Sequence, residues 1–432
     1  PADGEWLEMV VPRSAFEIYG TPDWSAINIA LIRIKDDGIS AADMSMDGFG
    51  YVNDKVDIEQ FYLIEDDSSW DDYYIGGEGS LSTSDRIIGE NSMKITTVER
   101  GNYNGISKEL FNNIINFSDK SLRFYVKSSD WSKLVAAQII LASDGYTFSD
   151  SYTFDILGQI QNPADGEWLE MVVPRSAFEI YGTPDWSAIN IALIRIKDDG
   201  ISAADLLIDG LGYFDSGSAA GVISITFDDG WDDTCIQGKT KMEEYGYAGT
   251  AFIIPSFIGA EGYLTQPRVD GLVASGWDIS GHGAYNLTTL TREDLTADLL
   301  DAYDYLNAGG YQGSNIYAYP NGASNAEVVA EVEKYFSYGF NINGMNQPIS
   351  YVSAYSVNRQ SMDKWTTVAQ IKTWIDSAGN NGEWCVLNFH TLVGEPALSY
   401  DFGVDDFEEI VDYINSSGLQ VKTLSEMLGS GI

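Results

Sequence analysis

From residue 221 onward the chain alternates short, nearly unbroken apolar runs with longer mixed stretches. Val222–Phe227, Thr250–Ile254, Trp277–Ser280, Asn315–Ala318, Tyr338–Ile342, Ala354–Asn358, Trp384–Phe389 and Gln420–Lys422 read as strands. Asp232–Tyr245, Arg292–Asn307, Asn325–Phe336, Thr367–Ser377 and Asp405–Ser416 read as helices. Ser324, with Glu327 three residues on, predicts a capping box at the start of one of them. Such alternation builds a parallel sheet with outer helices, so residues 221–432 are expected to form a distorted (β/α) barrel.

Residues 53–214 carry a different pattern. Short strands such as Ser121–Val126, Val135–Leu141 and Ile189–Ile196 are separated by turn signals, among them Ser143-Asp144-Gly145 and Asp198-Asp199-Gly200. The expectation is an all-β sandwich or jelly roll, which makes the chain multidomain. Residues 1–43 recur unchanged at 163–205, and the match continues more loosely to Tyr51 and Tyr213. Residues 1–52 are thus the C-terminal third of a repeat whose complete copy spans 53–214. A third of a β-domain cannot bury its own face, so 1–52 is expected to adopt the fold of 163–214 against a neighbouring module or chain, a route to self-association. Residues 215–220 read as a short linker. The order of segments in 53–214 resembles jelly-roll carbohydrate-binding modules. Trp70, Tyr73, Tyr74, Trp131, Trp168 and Trp186 could stack on sugar rings or pack in the core.

Composition narrows the partners. With 65 acidic and 24 basic residues the net charge is −41, which excludes nucleic acid and anionic membrane surfaces as partners. The acids are spread along the chain as a solvated surface, suited to plain solubility or to a saline or calcium-rich exterior, with a calcium site in the β-module one expectation. The two cysteines, Cys235 and Cys385, exclude a disulfide framework; they are either a single bridge or two buried thiols. No apolar run is long enough to span a bilayer. The chain opens on Pro1 inside a patterned segment, as a processed or partial product would.

In parallel α/β architectures reactive groups sit where strands end. Three predicted strand ends here carry unusual residues: Thr226-Phe227-Asp228-Asp229-Gly230, Ser280-Gly281-His282, and Asn388-Phe389-His390. Asp-Asp-Gly also occurs as an ordinary turn at 36–38 and 198–200, so the buried strand before Asp228 is what distinguishes this copy. Both histidines of the chain fall at such ends, which favours chemistry over packing.

At these residues the C-terminal part resembles the polysaccharide deacetylase family, carbohydrate esterase family 4. Thr226–Gly230 repeats its first motif unaltered, His282 with Asn286 stands for its second, Ala318-Tyr319-Pro320-Asn321-Gly322 for its third, and Leu387–His390 for its last. The resemblance implies a divalent metal, expected to be zinc, on Asp229 and His282. It makes Asp228 the general base and His390 the acid that protonates the leaving amine. The metal and a backbone N–H near Asn321 would hold the oxyanion, with Tyr319 and Trp384 completing the oxyanion and substrate contacts. Arg359 is expected to orient Asp228, since the family's third-motif arginine is replaced by Ala318. Asn286 replaces the family's second metal-binding histidine, four residues from His282 and so on one face if the segment turns as a helix. It would be a weaker ligand.

Two functions follow. One is a secreted or cell-surface, metal-dependent deacetylase of an N-acetylated or O-acetylated polysaccharide, targeted by β-modules. The other is a structural or adhesive surface protein with a non-catalytic sugar-binding cap.

Overall fold

The computed structural model describes residues 59–60, 70–72, 78–82, 85–88, 91–98, 101–110, 114–160, 163–216 and 220–429. The expectations for residues 1–52, and for Tyr73 and Tyr74, lie outside these.

The first part is two antiparallel sheets. Its strands are β1 (Glu59–Gln60), β2 (Asp71–Asp72), β3 (Glu78–Ser82), β4 (Ser92–Thr96), β5 (Tyr103–Glu109), β6 (Lys120–Lys127), β7 (Leu134–Ala142), β8 (Ser151–Asp155), β9 (Leu169–Val173), β10 (Glu179–Tyr181), β11 (Ile191–Asp198) and β12 (Asp205–Asp215). One sheet runs β3-β4-β12-β6-β9 with β1 beside β12, the other β10-β8-β7-β11-β5-β2. Period-2 alternation puts Phe124, Val126, Leu206 and Ile208 of one sheet against Ile139, Leu141, Ile194 and Ile196 of the other in a shared core. Among the described residues, each of β9 to β12 pairs with strands before residue 160 and none with another of these four. Trp70 and Trp131 are buried in this core, and Trp186 stacks on Tyr152 at 3.5 Å. These three pack rather than offer a sugar platform. Trp168 is partly buried, bonded to Asp85 with Lys127 over its ring. Asp215 ends β12 and Ser216 is buried against Ser121, so the sandwich takes in the first two residues of the expected linker.

The second part is the parallel sheet the alternation predicted. In order it comprises β13 (Val222–Phe227), α1 (Asp232–Glu243), β14 (Thr250–Ile253), α2 (Gln266–Ala274), β15 (Asp278–His282), α3 (Arg292–Gly309), β16 (Ile316–Ala318), α4 (Ala326–Val332), β17 (Tyr338–Phe340), β18 (Gln347–Pro348), β19 (Gln360–Ser361), α5 (Val368–Asn381), β20 (Glu383–Phe389), β21 (Thr391–Val393), β22 (Asp401–Gly403), α6 (Val404–Ser417), β23 (Gln420–Val421) and α7 (Leu424–Gly429). The sheet runs β17-β16-β15-β14-β13-β20-β18. The segment expected as a strand at 354–358 instead spans the gap between its ends: Val357 bridges Phe340 of β17, and β19 pairs with Leu387 and Asn388 of β20. Helix α2 was not legible, because Pro267 and Gly271 interrupt its pattern.

Along β13, Ile223, Ile225 and Phe227 pack outward against the helices, while Val222 shares the interior with Phe252, Ala318, Phe340, Trp384 and Val386. Leu424, Met427 and Leu428 of α7 fill the end where the strands begin. The predicted capping box at Ser324 is displaced by one residue: Asn325 is the cap, accepting from Val328 N at 2.9 Å. A full box forms at α5, where Thr367 and Gln370 cap each other. Cys235 and Cys385 are free and buried, which settles the cysteine alternatives in favour of two thiols. Substituting Asn325 or Thr367 by Ala is expected to cost about 1 kcal/mol each, against little change for Ser324→Ala. Chemical denaturation of the three variants checks this; a loss at Ser324 equal to that at Asn325 would contradict the assigned cap.

Candidate active site

The inward register of β13 continues past its end. Val222, Ser224 and Thr226 lie on the interior side, and Asp228 is next in that series. On the paired strand β20 the same rule gives Trp384, Val386 and Asn388, then His390. Both series pass from apolar residues to polar ones as the strands reach their carboxyl ends. Asp229 would point outward on an extended chain. Instead its φ is 69° and that of Gly230 is 76°, so the backbone turns at once and aims its carboxylate back toward His282. A left-handed non-glycine residue costs about 1–2 kcal/mol, less for Asp, and such strain is tolerated where the surroundings fix it.

Asp228 is the most constrained group of the site. Its side chain is 3% exposed, and the Arg359 guanidinium, fully buried, grips it in a bidentate pair: Nη1 to Oδ1 at 2.7 Å and Nη2 to Oδ2 at 3.1 Å. Asn388 Nδ2 donates to Oδ2 at 3.1 Å, while Asn388 Oδ1 accepts from Arg359 Nη1 at 2.9 Å and Thr226 Oγ1 at 2.8 Å. Burial by itself would raise the carboxyl pKa. The charges of Arg359, His282 and His390 outweigh it and hold Asp228 well below the usual carboxylate range.

His282 Nδ1 lies 2.8 Å from the Ala318 carbonyl, which can only accept, so Nδ1 carries the hydrogen and Nε2 faces Asp229 Oδ1 at 3.4 Å. The other Asp229 oxygen accepts from Trp231 Nε1 at 3.1 Å. Two ligands at about 2.0–2.1 Å from a tetrahedral ion stand about 3.3–3.4 Å apart, so this nitrogen–oxygen pair fits two positions of a divalent metal. Among the described residues no three His, Cys, Asp or Glu side chains are placed to share one metal ion, so further positions would fall to water or to a weaker donor. His390 Nε2 is 3.8 Å from Asp228 Oδ2, with a quarter of its side chain open to solvent and Tyr400 at 6.4 Å between ring centres.

The structure therefore brings together Asp228, Asp229, His282, Arg359 and His390, and it corrects three other expectations. Residues 283–286 are not helical: Asn286 caps a 3₁₀ turn at Leu287–Thr289, and its Oδ1 accepts from Thr288 N and Oγ1. The oxygen that would ligate a metal is the capping acceptor. Trp384 lies near the start of β20, fully buried, donating to Ser224 Oγ at the opposite end of the barrel from His390. It is core rather than substrate contact. Tyr319 faces outward into the helix layer, its hydroxyl on the Tyr355 carbonyl, so only its backbone neighbours the site. Asn321 is exposed, with φ 59°. Sequence reasoning missed Asn388 and Trp231. The inward alternation along β20 could have found the first.

Residues 216–338 match the family model described as polysaccharide deacetylase. That stretch carries Asp228, Asp229, His282 and Asn286 and ends before Arg359 and His390. YxkH of Bacillus subtilis (strain 168), whose name is a provisional polysaccharide deacetylase, is 28% identical over 114 residues. Those residues are 26% of this chain and 41% of YxkH, so the chain spans less than half of that relative. Among solved structures, the Xyl-CE4 domain of a multidomain xylanase from the hindgut metagenome of Trinervitermes trinervoides is similar at 16% identity, covering 49% of this chain and 91% of that one, with a TM-score of 0.36. The Bc1960 peptidoglycan N-acetylglucosamine deacetylase is similar at 18% identity, covering 48% and 91%, with a TM-score of 0.34.

Removing Arg359 leaves a buried carboxylate without its counter-charge. Arg359→Gln is expected to destabilise the protein by about 3–5 kcal/mol, and adding Asp228→Asn should recover part of that loss. Denaturant unfolding of both single variants and the double variant decides; strictly additive losses would show that the pair is not coupled.

Proposed function

We propose that the chain is a metal-dependent deacetylase that removes N-acetyl, or alternatively O-acetyl, groups from a polysaccharide outside the cell or at its surface. The observation that carries this reading is the carboxylate of Asp228, fixed by Arg359 and Asn388 at the same strand ends as the Asp229–His282 pair and His390. The family match over 216–338 supports it. A divalent metal, zinc by the mixed imidazole and carboxylate donors, would be held by Asp229 and His282, where it would polarise the acetyl carbonyl and acidify a water.

This chain's own groups supply the rest. Asp228, kept ionised, accepts the proton of the attacking water through a carboxylate oxygen, and Arg359 keeps that carboxylate from rotating away. His390, the more solvent-open of the two imidazoles, gives its proton to the departing nitrogen. One C–O bond forms, the C–N bond breaks, and acetate and a free amine result. A backbone N–H beside the left-handed Asn321 is the proposed donor to the developing oxyanion. Exposed Trp365 and Tyr400 sit on adjoining loops tied by Lys364, which bonds to the Ala397 and Ser399 carbonyls, and offer rings to a sugar chain. Among the described residues no helix is long and apolar enough to cross a membrane.

One observation favours a second reading. With Asn286 Oδ1 committed to its cap, the same site could bind an acetylated sugar without hydrolysing it. Acetate release from N-acetylated chito-oligosaccharides and from acetylated xylan separates the two. Turnover is expected, to be lost on chelation and restored by zinc. Asp228→Asn should reduce it about 10²–10⁴-fold while bound metal stays the same. Binding without turnover in the metal-loaded wild type would favour the second reading, and full turnover in Asp228→Asn would remove Asp228 from the mechanism.

A further inference from the structure

Among the described residues the segment 341–359, between β17 and β19, carries no helix, unlike the crossings around it. The sandwich packs there instead. Met345, 4% exposed, is buried in the sandwich core. Glu170 of β9, already paired with Arg123, accepts from Tyr351 Oη at 3.0 Å and from Ser353 Oγ. The Asp215 carbonyl accepts from Ser350 Oγ at 2.6 Å, and Phe214 meets Tyr351 edge to face at 5.7 Å. Glu383, buried at the head of β20, takes the Ser176 backbone N–H on one oxygen and Asn346 Nδ2 on the other, both at 3.3 Å.

The residues flanking Met345 hold Arg359. Gly344 N donates to the Arg359 carbonyl at 3.1 Å, and Arg359 Nε donates to the Asn341 carbonyl at 3.1 Å. Gln347 brackets Asn358, accepting from its N–H at 3.1 Å and donating to its carbonyl at 3.3 Å, and Asn346 Oδ1 accepts from Gln360 Nε2 at 3.3 Å. From Asn341 to Gln347 the segment thus touches the sandwich on one side and, on the other, the backbone of 358–359 and the side chains of Arg359 and Gln360. Arg359 then reaches Asp228.

We propose that the sandwich is a working part of the candidate site: by seating Met345 and Glu383 it fixes the 341–347 segment, which holds Arg359 on Asp228. Met345 and Glu383 are then positioning residues, and the sandwich takes the layer a barrel helix would occupy. This rests on the deacetylase reading for its activity arm only.

The test uses the full chain with Met345→Ala and Met345→Leu. Amide hydrogen exchange at Gly344 and Asn358 is expected to accelerate about tenfold or more in Met345→Ala, with α1 and β14 unchanged. Turnover should fall about 10–100-fold at unaltered KM and metal content, since a misplaced Arg359 spoils geometry rather than binding. Met345→Leu should restore both. Should Met345→Ala fail to fold, Tyr351→Phe with Ser353→Ala loosens the same contact without a cavity and should move the same amides. Wild-type exchange at Asn358, together with wild-type turnover, in a folded loosened variant overturns the proposal. Absence of acetate release in the wild type would instead overturn the deacetylase reading, and the exchange measurement would still decide this one.

Discussion

The pairing of Asp228 with Arg359 is the constraint around which the second part of the molecule is arranged. Two charges taken out of water are expensive, and their attraction compensates only where geometry is good and the remaining hydrogen-bonding capacity is met. Here both guanidinium nitrogens Nη1 and Nη2 engage the carboxylate, Nε is satisfied by the Asn341 carbonyl, and Asn388 serves acid and base alike. The Phe252 ring lies 5.1 Å below the guanidinium. Arg359 enters from the segment that joins β17 to β20, so the barrel's closure and the orientation of the carboxylate are one feature.

That arrangement also bears on the missing arginine of the third motif. Position 318 faces the interior and holds alanine, and its carbonyl is used to fix the His282 tautomer. The cation on Asp228 comes instead from Arg359, in the segment between β17 and β19.

Much of this was open to a reader of the sequence, for reasons that can be named. The apolar strand before Asp228 and the placement of both histidines at strand ends follow from local patterns, and so do most barrel elements. Arg359 could be assigned to Asp228 because one cation was wanted and it follows the apolar pattern of 354–358. Two failures needed knowledge of which face a side chain takes, and two turned on which residue caps a turn or helix. The resemblance implies substrate contacts for Tyr319 and Trp384, whereas one turns outward and the other lies at the far end of its strand. Asn286 was placed on a helical turn, but an Asn after a strand competes for the backbone N–H two residues on, and the cap won. Ser324 and Asn325 are both good caps, and only the backbone could choose between them. The contact of the sandwich with residues 341–353 has no local signature at all.

The strand pairing of the sandwich has a consequence for how the chain comes to be folded. Strands β9 to β12 find all their partners among strands made earlier, so the last third of this module has no ladder of its own to form first. Closing this module from its own residues therefore needs the chain up to about 215, through long loops whose entropy is lost before contact is gained. The order of strands thus makes residues 169–215 the part that completes the core into which Met345 packs.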